Sequence, residues 1–154
     1  MLGSIGDSRR DSSVILPADT FPRLTDRNHR ITSEPDVGYN CIAWAAGKTE
    51  HWWQPGVFWP VESSRDDHGI GALERAFEAL GYEECPDGSL EPGFEKVALY
   101  GGGLVYTHAA RQLPNGKWTS KLGKAEDIDH DTPDDVAGGL YGEVVQFMKR
   151  PVPS

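Results

Sequence analysis

Cysteine is nearly absent. Cys41 and Cys85 are the only two in 154 residues, too few for a disulfide framework. Long apolar runs are missing too, and none approaches the ~18 residues a membrane helix needs. The first residues, MLGSIGDSRRDSS, lack the apolar centre of a secretory leader. These shortages together predict a cytoplasmic protein with two free thiols; export by a route without a cleavable leader is the alternative. Positive charge is also scarce: 15 Lys and Arg stand against 24 Asp and Glu, a formal charge of −9. Arg9-Arg10 and the loose group Lys117, Lys121 and Lys124 fall short of the basic stripe that neutralises phosphates. Nucleic acid and membrane surfaces are therefore discounted as partners.

What the chain does have is aromatic side chains, 10% of the total with five Trp and five Tyr. That argues for a packed core, since disordered chains are poor in them. The composition predicts a disordered tail over 1–13 and a single domain over 14–150, beginning with a Pro-punctuated arm over 14–38. Asn40, a good N-cap type, and Gly47, a good terminator, bracket the short apolar run Cys41-Ile42-Ala43-Trp44-Ala45-Ala46. A helix apolar on all sides is a buried one. An aromatic loop over 48–68 follows. Ile70, Leu73, Phe77 and Leu80 then fall at helical spacing before Gly81, with Asp67 a candidate cap. Cys85-Pro86-Asp87-Gly88 reads as a turn. From Glu95 the pattern becomes β: strands over 96–100, 104–113 and 117–122, a hairpin at Pro114-Asn115-Gly116, and a last strand over 141–149. Thr132-Pro133-Asp134-Asp135 reads as a helix start. Helices first and antiparallel strands after is the α+β class.

Cys41 and His108 are the pair to which chemistry is assigned. A thiol at a helix start can be lowered in pKa, and free N–H groups there can hold an oxyanion. Asn40 beside it could cap the helix or donate to that oxyanion. His108 lies in a β segment between small residues, where another element could approach. A general base on a strand facing a thiol is a workable arrangement. Cys41 alone could equally be a buried structural cysteine, and His108 a half-buried strand histidine. Trp44 and Trp118 are candidate groove walls as well as candidate core. His29, His51 and His68 read as surface or capping residues, and Cys85 as a bystander.

Tyr39-Asn40-Cys41-Ile42-Ala43-Trp44-Ala45 resembles the nucleophile helix of papain-like cysteine peptidases, where Cys precedes a bulky, a small and an aromatic residue. Thr107-His108-Ala109-Ala110 before a hairpin is similar to the His-bearing strand of that superfamily, which includes NlpC-type endopeptidases and related amidases. The run from Ala98 to Gly123 also resembles a bacterial family with no assigned function. The resemblance implies a papain-like fold, with a Cys-bearing helix packed on an antiparallel sheet. It also implies a third residue on the strand after His108, where the superfamily carries Asn or Asp. Here the chain departs from the pattern, for Ser120 stands there. With a three-residue loop at 114–116, Ser120 shares the side of His108; with a two-residue loop it turns away. His130 is a second candidate, as some relatives use a histidine in that role, though Asp127-Ile128-Asp129-His130-Asp131 also reads as a solvated acidic loop.

Taken with the resemblance, these readings predict a thiol-dependent amide hydrolase or acyl transferase, a peptidase, amidase or deamidase, acting on a protein or peptide substrate and needing no cofactor. Cys41 would attack the carbonyl, His108 would take the thiol proton and later protonate the leaving amine, and Ser120 or His130 would orient His108. The alternative is a non-catalytic protein-binding module on the same fold. A thiol pKa below 7 would favour the enzyme and one near ~8.5 the module. A third idea, a metal held by Asp127–Asp131, lacks a recognisable ligand spacing.

Overall fold

The computed structural model describes residues 20–33, 38–62, 64, 67–102, 104–122 and 126–152. The expected disordered tail over 1–13 lies outside the described residues. Among the described residues, strands β1 (His29–Ile31), β2 (Glu83–Cys85), β3 (Phe94–Gly102), β4 (Val105–Gln112), β5 (Trp118–Lys121), β6 (Asp127–His130) and β7 (Glu143–Pro151) form one sheet. Their spatial order is β1-β6-β5-β4-β3-β7-β2, with every neighbouring pair antiparallel. Helices α1 (Cys41–Ala45) and α2 (Ile70–Ala79) cover one face. A 3-10 turn at Pro133–Val136 contributes to the other. This is an α+β fold. Among the described residues no helix is long and apolar enough to cross a membrane.

Successive strand residues point to opposite faces, and β3 and β4 divide the core accordingly. Val97, Leu99 and Ala109 join Ile42, Leu73 and Phe77 under the helices. Ala98, Tyr100 and Ala110 join Trp118, Ile128 and Tyr141 on the opposite face. The short α1 forms where its ends predict. Asn40 Oδ1 accepts from Ala43 N at 3.1 Å, and Gly47 takes the left-handed φ of +78° that ends the turn. Its apolar surround is explained by burial against β4 and β5. In α2, Leu73 and Phe77 are fully buried, each stabilising the fold by about 1.5–3 kcal/mol. The residue at its N-cap position is Gly69. Asp67 instead accepts from Gly69 N at 3.1 Å and pairs with Arg75 at 2.9 Å.

The hairpin register is decided by its loop. Leu113 N donates to Lys117 O at 2.7 Å, and Arg111↔Thr119 and Gln112↔Trp118 are partners. The loop is therefore the three-residue one, and continuing the register sets Ser120 opposite Ala110, on the side of His108.

Three expectations are corrected. The arm contains β1, and Cys85, read as the first residue of a turn, ends β2; both are edge strands of three residues, too short to show alternation in sequence. Asp127–Asp131 is not a solvated loop, because Asp127–His130 is strand β6 between β5 and β1. Its acids turn to the helical face, where Tyr39 Oη donates to Asp127 Oδ2 at 2.8 Å and Arg30 meets Asp129 at 3.4 Å. Ile128 and His130 turn the other way, and that alternation splits the supposed metal cluster. Lys121 is fully buried, 3.9 Å from Asp127 and over the Tyr39 ring, so it does not belong to a surface basic group.

The Gly138–Gly142 segment brings Tyr141 onto the sheet. Gly142 has φ +68°, and a Cβ there would lie 2.4 Å from the Gly101 carbonyl oxygen. Both the left-handed backbone and the clash oppose any side chain. Gly142→Ala is predicted to lower stability by at least about 2 kcal/mol, read as a fall in the urea midpoint; an unchanged midpoint would contradict this seating.

Candidate active site

A file of buried polar side chains crosses three strands on the non-helical face. His108 Nε2 lies 3.0 Å from Ser120 Oγ, Ser120 Oγ lies 2.8 Å from His130 Nε2, and His130 Nδ1 lies 2.8 Å from Thr132 O. The last acceptor fixes the direction of every proton. A carbonyl can only accept, so His130 Nδ1 carries a hydrogen. Burial holds His130 below its ordinary 6.5, opposed by the Thr132 carbonyl and Asp135, so its Nε2 is a bare acceptor. Ser120 therefore donates to His130 and accepts from His108 Nε2–H. Burial first, and His130 second, hold His108 well below 6.5. Its Nδ1 is consequently an unprotonated lone pair, buried and without a hydrogen-bond partner among the described residues. The ring is clamped: Tyr141 stacks on it at 3.9 Å with an interplanar angle of 4°, and Tyr100 meets it edge-on at 5.0 Å.

Cys41 approaches from the helical side. Strands β4 and β5 pair only at Arg111↔Thr119 and Gln112↔Trp118, so β4 from Ala110 back to Val105 has no paired β5 neighbour. The start of α1 meets this opened edge, where the Ala109 N–H reaches the Cys41 sulfur. Burial pushes the thiol up to about 11; the Ala109, Ile42 and Cys41 N–H groups and the Lys121 charge pull the other way. The thiol is thus protonated at neutral pH. No hydrogen bond joins Cys41 to His108. Their shared neighbour is Tyr141, which stacks on the imidazole and also lines the cleft containing Cys41.

That cleft, of about 310 Å³, is walled by Asn40, Cys41, Trp52, His68, Tyr106 and Tyr141, among others. His68, expected to be a capping or surface residue, therefore faces the same space as the thiol. Tyr141 and Tyr106 were not candidates from the sequence; the Gly-rich segment around Tyr141 and the β pattern around Tyr106 gave no sign of a shared cleft.

The other candidates fall into structural places. Asn40 Oδ1 accepts from Ala43 N and Trp53 N, and Nδ2 donates to Trp53 O at 2.7 Å. Its side chain caps α1 and ties down the aromatic loop, which leaves backbone N–H groups as the oxyanion donors near Cys41. Trp44 Nε1 donates to Thr119 Oγ1 at 2.9 Å, with Tyr39 stacked beside it. Trp118 is buried beside Phe147 in the opposite core. Neither tryptophan lines the cleft. Cys85 is buried at the end of β2 with its sulfur 3.5 Å from Asp87 O. Among the described residues no group of three or more His, Cys, Asp or Glu could hold a metal ion.

The polar file makes stability depend on pH. Both imidazoles stay neutral in the fold as pH falls below 6.5, while the unfolded chain takes up their protons. Their contribution is present above 6.5 and is lost as pH falls through that value toward the folded pKa values. Urea midpoints are predicted to drop between about pH 7.5 and pH 5.5, and His108→Gln, which removes one of the two groups, is predicted to flatten that drop. An equally steep fall in the variant would contradict the neutral, buried state of His108.

Comparison with known proteins gives no link to papain-like or NlpC-type proteins. No curated protein and no solved structure matches the chain. A family model does match, over residues 30–149, and by that match the chain belongs to the family described as a domain of unknown function, DUF7689.

Proposed function

We propose that this domain is a thiol-dependent amide hydrolase or acyl transferase on a papain-like arrangement, with Cys41 as nucleophile and His108 as its base. The observation that carries the reading is the buried file from Thr132 to His108, which leaves one imidazole nitrogen as an unpartnered acceptor. Among the described residues seven buried side-chain atoms lack a hydrogen-bond partner, and His108 Nδ1 is the imidazole nitrogen among them; an orphaned buried acceptor destabilises a fold by about 1–3 kcal/mol, and in this reading Nδ1 is kept bare to receive a proton during reaction. Ser120 and His130 are the positioning residues. They hold the Nε2–H tautomer in the way that the third member of a triad orients a catalytic histidine.

The elevated thiol pKa sets the form of the mechanism. Cys41 and His108 are both neutral at rest, so there is no preformed thiolate–imidazolium pair. The reading needs the thiol proton to reach Nδ1 as sulfur attacks the carbonyl carbon, starting from a resting geometry in which the two groups lie on opposite sides of the sheet and share Tyr141 as neighbour. Backbone N–H groups at Cys41, Ile42 and Ala109, each of which lowers the thiol pKa, are the donors available to the developing oxyanion. The Lys121 charge favours the transient thiolate.

A second reading rests on the same thiol. A thiol pushed up to about 11 is not the one below 7 expected of an activated nucleophile, and by that measure it falls on the side of a protein-binding module. The two readings part on acylation by an activated ester. With p-nitrophenyl acetate, Cys41→Ala is predicted to abolish labelling, and His108→Gln to slow it by about 10²–10⁴-fold at pH 7, the usual worth of a general base. Equal rates in the wild type and His108→Gln would leave only the binding module.

A further inference from the structure

An amide leaves as an amine only if a proton reaches its nitrogen, and the geometry gives His108 no way to deliver one. Its ring is fully buried, Tyr141 covers one face, and Nε2 is bonded to Ser120. His108 can exchange a proton with a group that reaches Nδ1 inside the fold, but not with a leaving group out in the cleft. The donor has to stand on the cleft wall. Among the described lining residues none is Asp, Glu, Lys or Arg. The titratable groups are Cys41, Tyr106, Tyr141 and His68, and burial pushes both tyrosines upward. His68 is the one imidazole among them, and imidazole is the side chain that most often serves as a general acid.

We propose that His68 is the catalytic acid that protonates the leaving amine, facing Cys41 across the cleft. This rests on the thiol-hydrolase reading and divides the work usually given to one histidine between two. The backbone holds His68 in place: Tyr106 N donates to His68 O at 2.9 Å, and Gly69 bridges Val105 on β4. Its ring lies 5.9 Å from the Tyr106 ring.

The proton balance closes over one cycle. The Cys41 S–C bond forms as the thiol proton moves to His108 Nδ1. The tetrahedral intermediate collapses, the C–N bond breaks, and the amine takes a proton from the His68 imidazolium, leaving a thioester. Water then gives a proton to neutral His68 while its oxygen attacks the thioester carbon. The C–S bond breaks, and the departing sulfur recovers its proton from His108. Amide and water become acid and amine, and both histidines return to their starting states.

The test compares leaving groups on one acyl group. An aryl ester expels a phenolate that needs no proton, whereas an anilide does. Single-turnover acylation by N-acetylphenylalanine p-nitrophenyl ester and by the matching p-nitroanilide is measured for the wild type and His68→Gln. The anilide-to-ester rate ratio is predicted to fall about 100-fold in the variant, within the usual worth of a general acid. Taking the ratio within one sample cancels any loss of folded protein. A ratio within about three-fold of wild type would overturn the assignment of His68, as would a wild type acylated by the ester but not by the anilide. A wild type that shows no Cys41-dependent reaction with either overturns the thiol-hydrolase reading itself.

Discussion

Everything assigned to this site depends on one carbonyl. Thr132 O can only accept, and from it the hydrogen-bond directions run through His130 and Ser120 to the far nitrogen of His108. A buried polar file of this kind stabilises only when its members are satisfied in sequence. Here each contact is satisfied except the last, so the single defect falls on His108 Nδ1. The backbone supplies the other constraint. The β4–β5 ladder stops after two pairs, and that gap lets the start of α1 bring Cys41 against Ala109 instead of leaving it on top of a closed sheet.

The site is therefore built on burial more than on charge. Burial raises the thiol, lowers both imidazoles and raises the tyrosines that flank them. A site whose groups are all neutral has no strong ion pair to hold it together, and its geometry is kept by packing. The coplanar stack of Tyr141 on His108 and the edge contact of Tyr100 carry that load. Tyr141 is in turn placed by a segment whose glycines adopt left-handed φ and which rests against Gly101. Asn40 does the equivalent for Cys41, since one side chain caps α1 and fastens the aromatic loop that forms the cleft wall.

Much of the architecture was legible because local signals agreed with the fold. The α2 stripe, the caps of α1 and the Pro114-Asn115-Gly116 hairpin each announce themselves in sequence. The His108–Ser120 relation needed only the loop length to be decided, and the candidate His130 joined the same file. What was not legible shares a physical cause: the residues concerned are defined by partners far away in the chain. Asp127 and Lys121 read as surface charges because Tyr39, which hydrogen-bonds to one and packs under the other, is distant in sequence. β1 and β2 are too short to display a period. His68 reads as a helix-cap neighbour, since nothing local reveals that β4 carries Tyr106 to its side and α1 carries Cys41 opposite. The split between Cys41 and His108, one on each side of the sheet and linked through Tyr141, follows from strand parity and the gap in the β4–β5 ladder, which a sequence pattern does not encode.

The central claim is a protonation state at one atom, and nitrogen-15 NMR of the histidine rings reads it directly. The account predicts that His108 carries its hydrogen on Nε2, with Nδ1 showing the shift of a bare lone pair, at pH 7 and on acidification below 6.5. A hydrogen on Nδ1, or an imidazolium at pH 7, would contradict it.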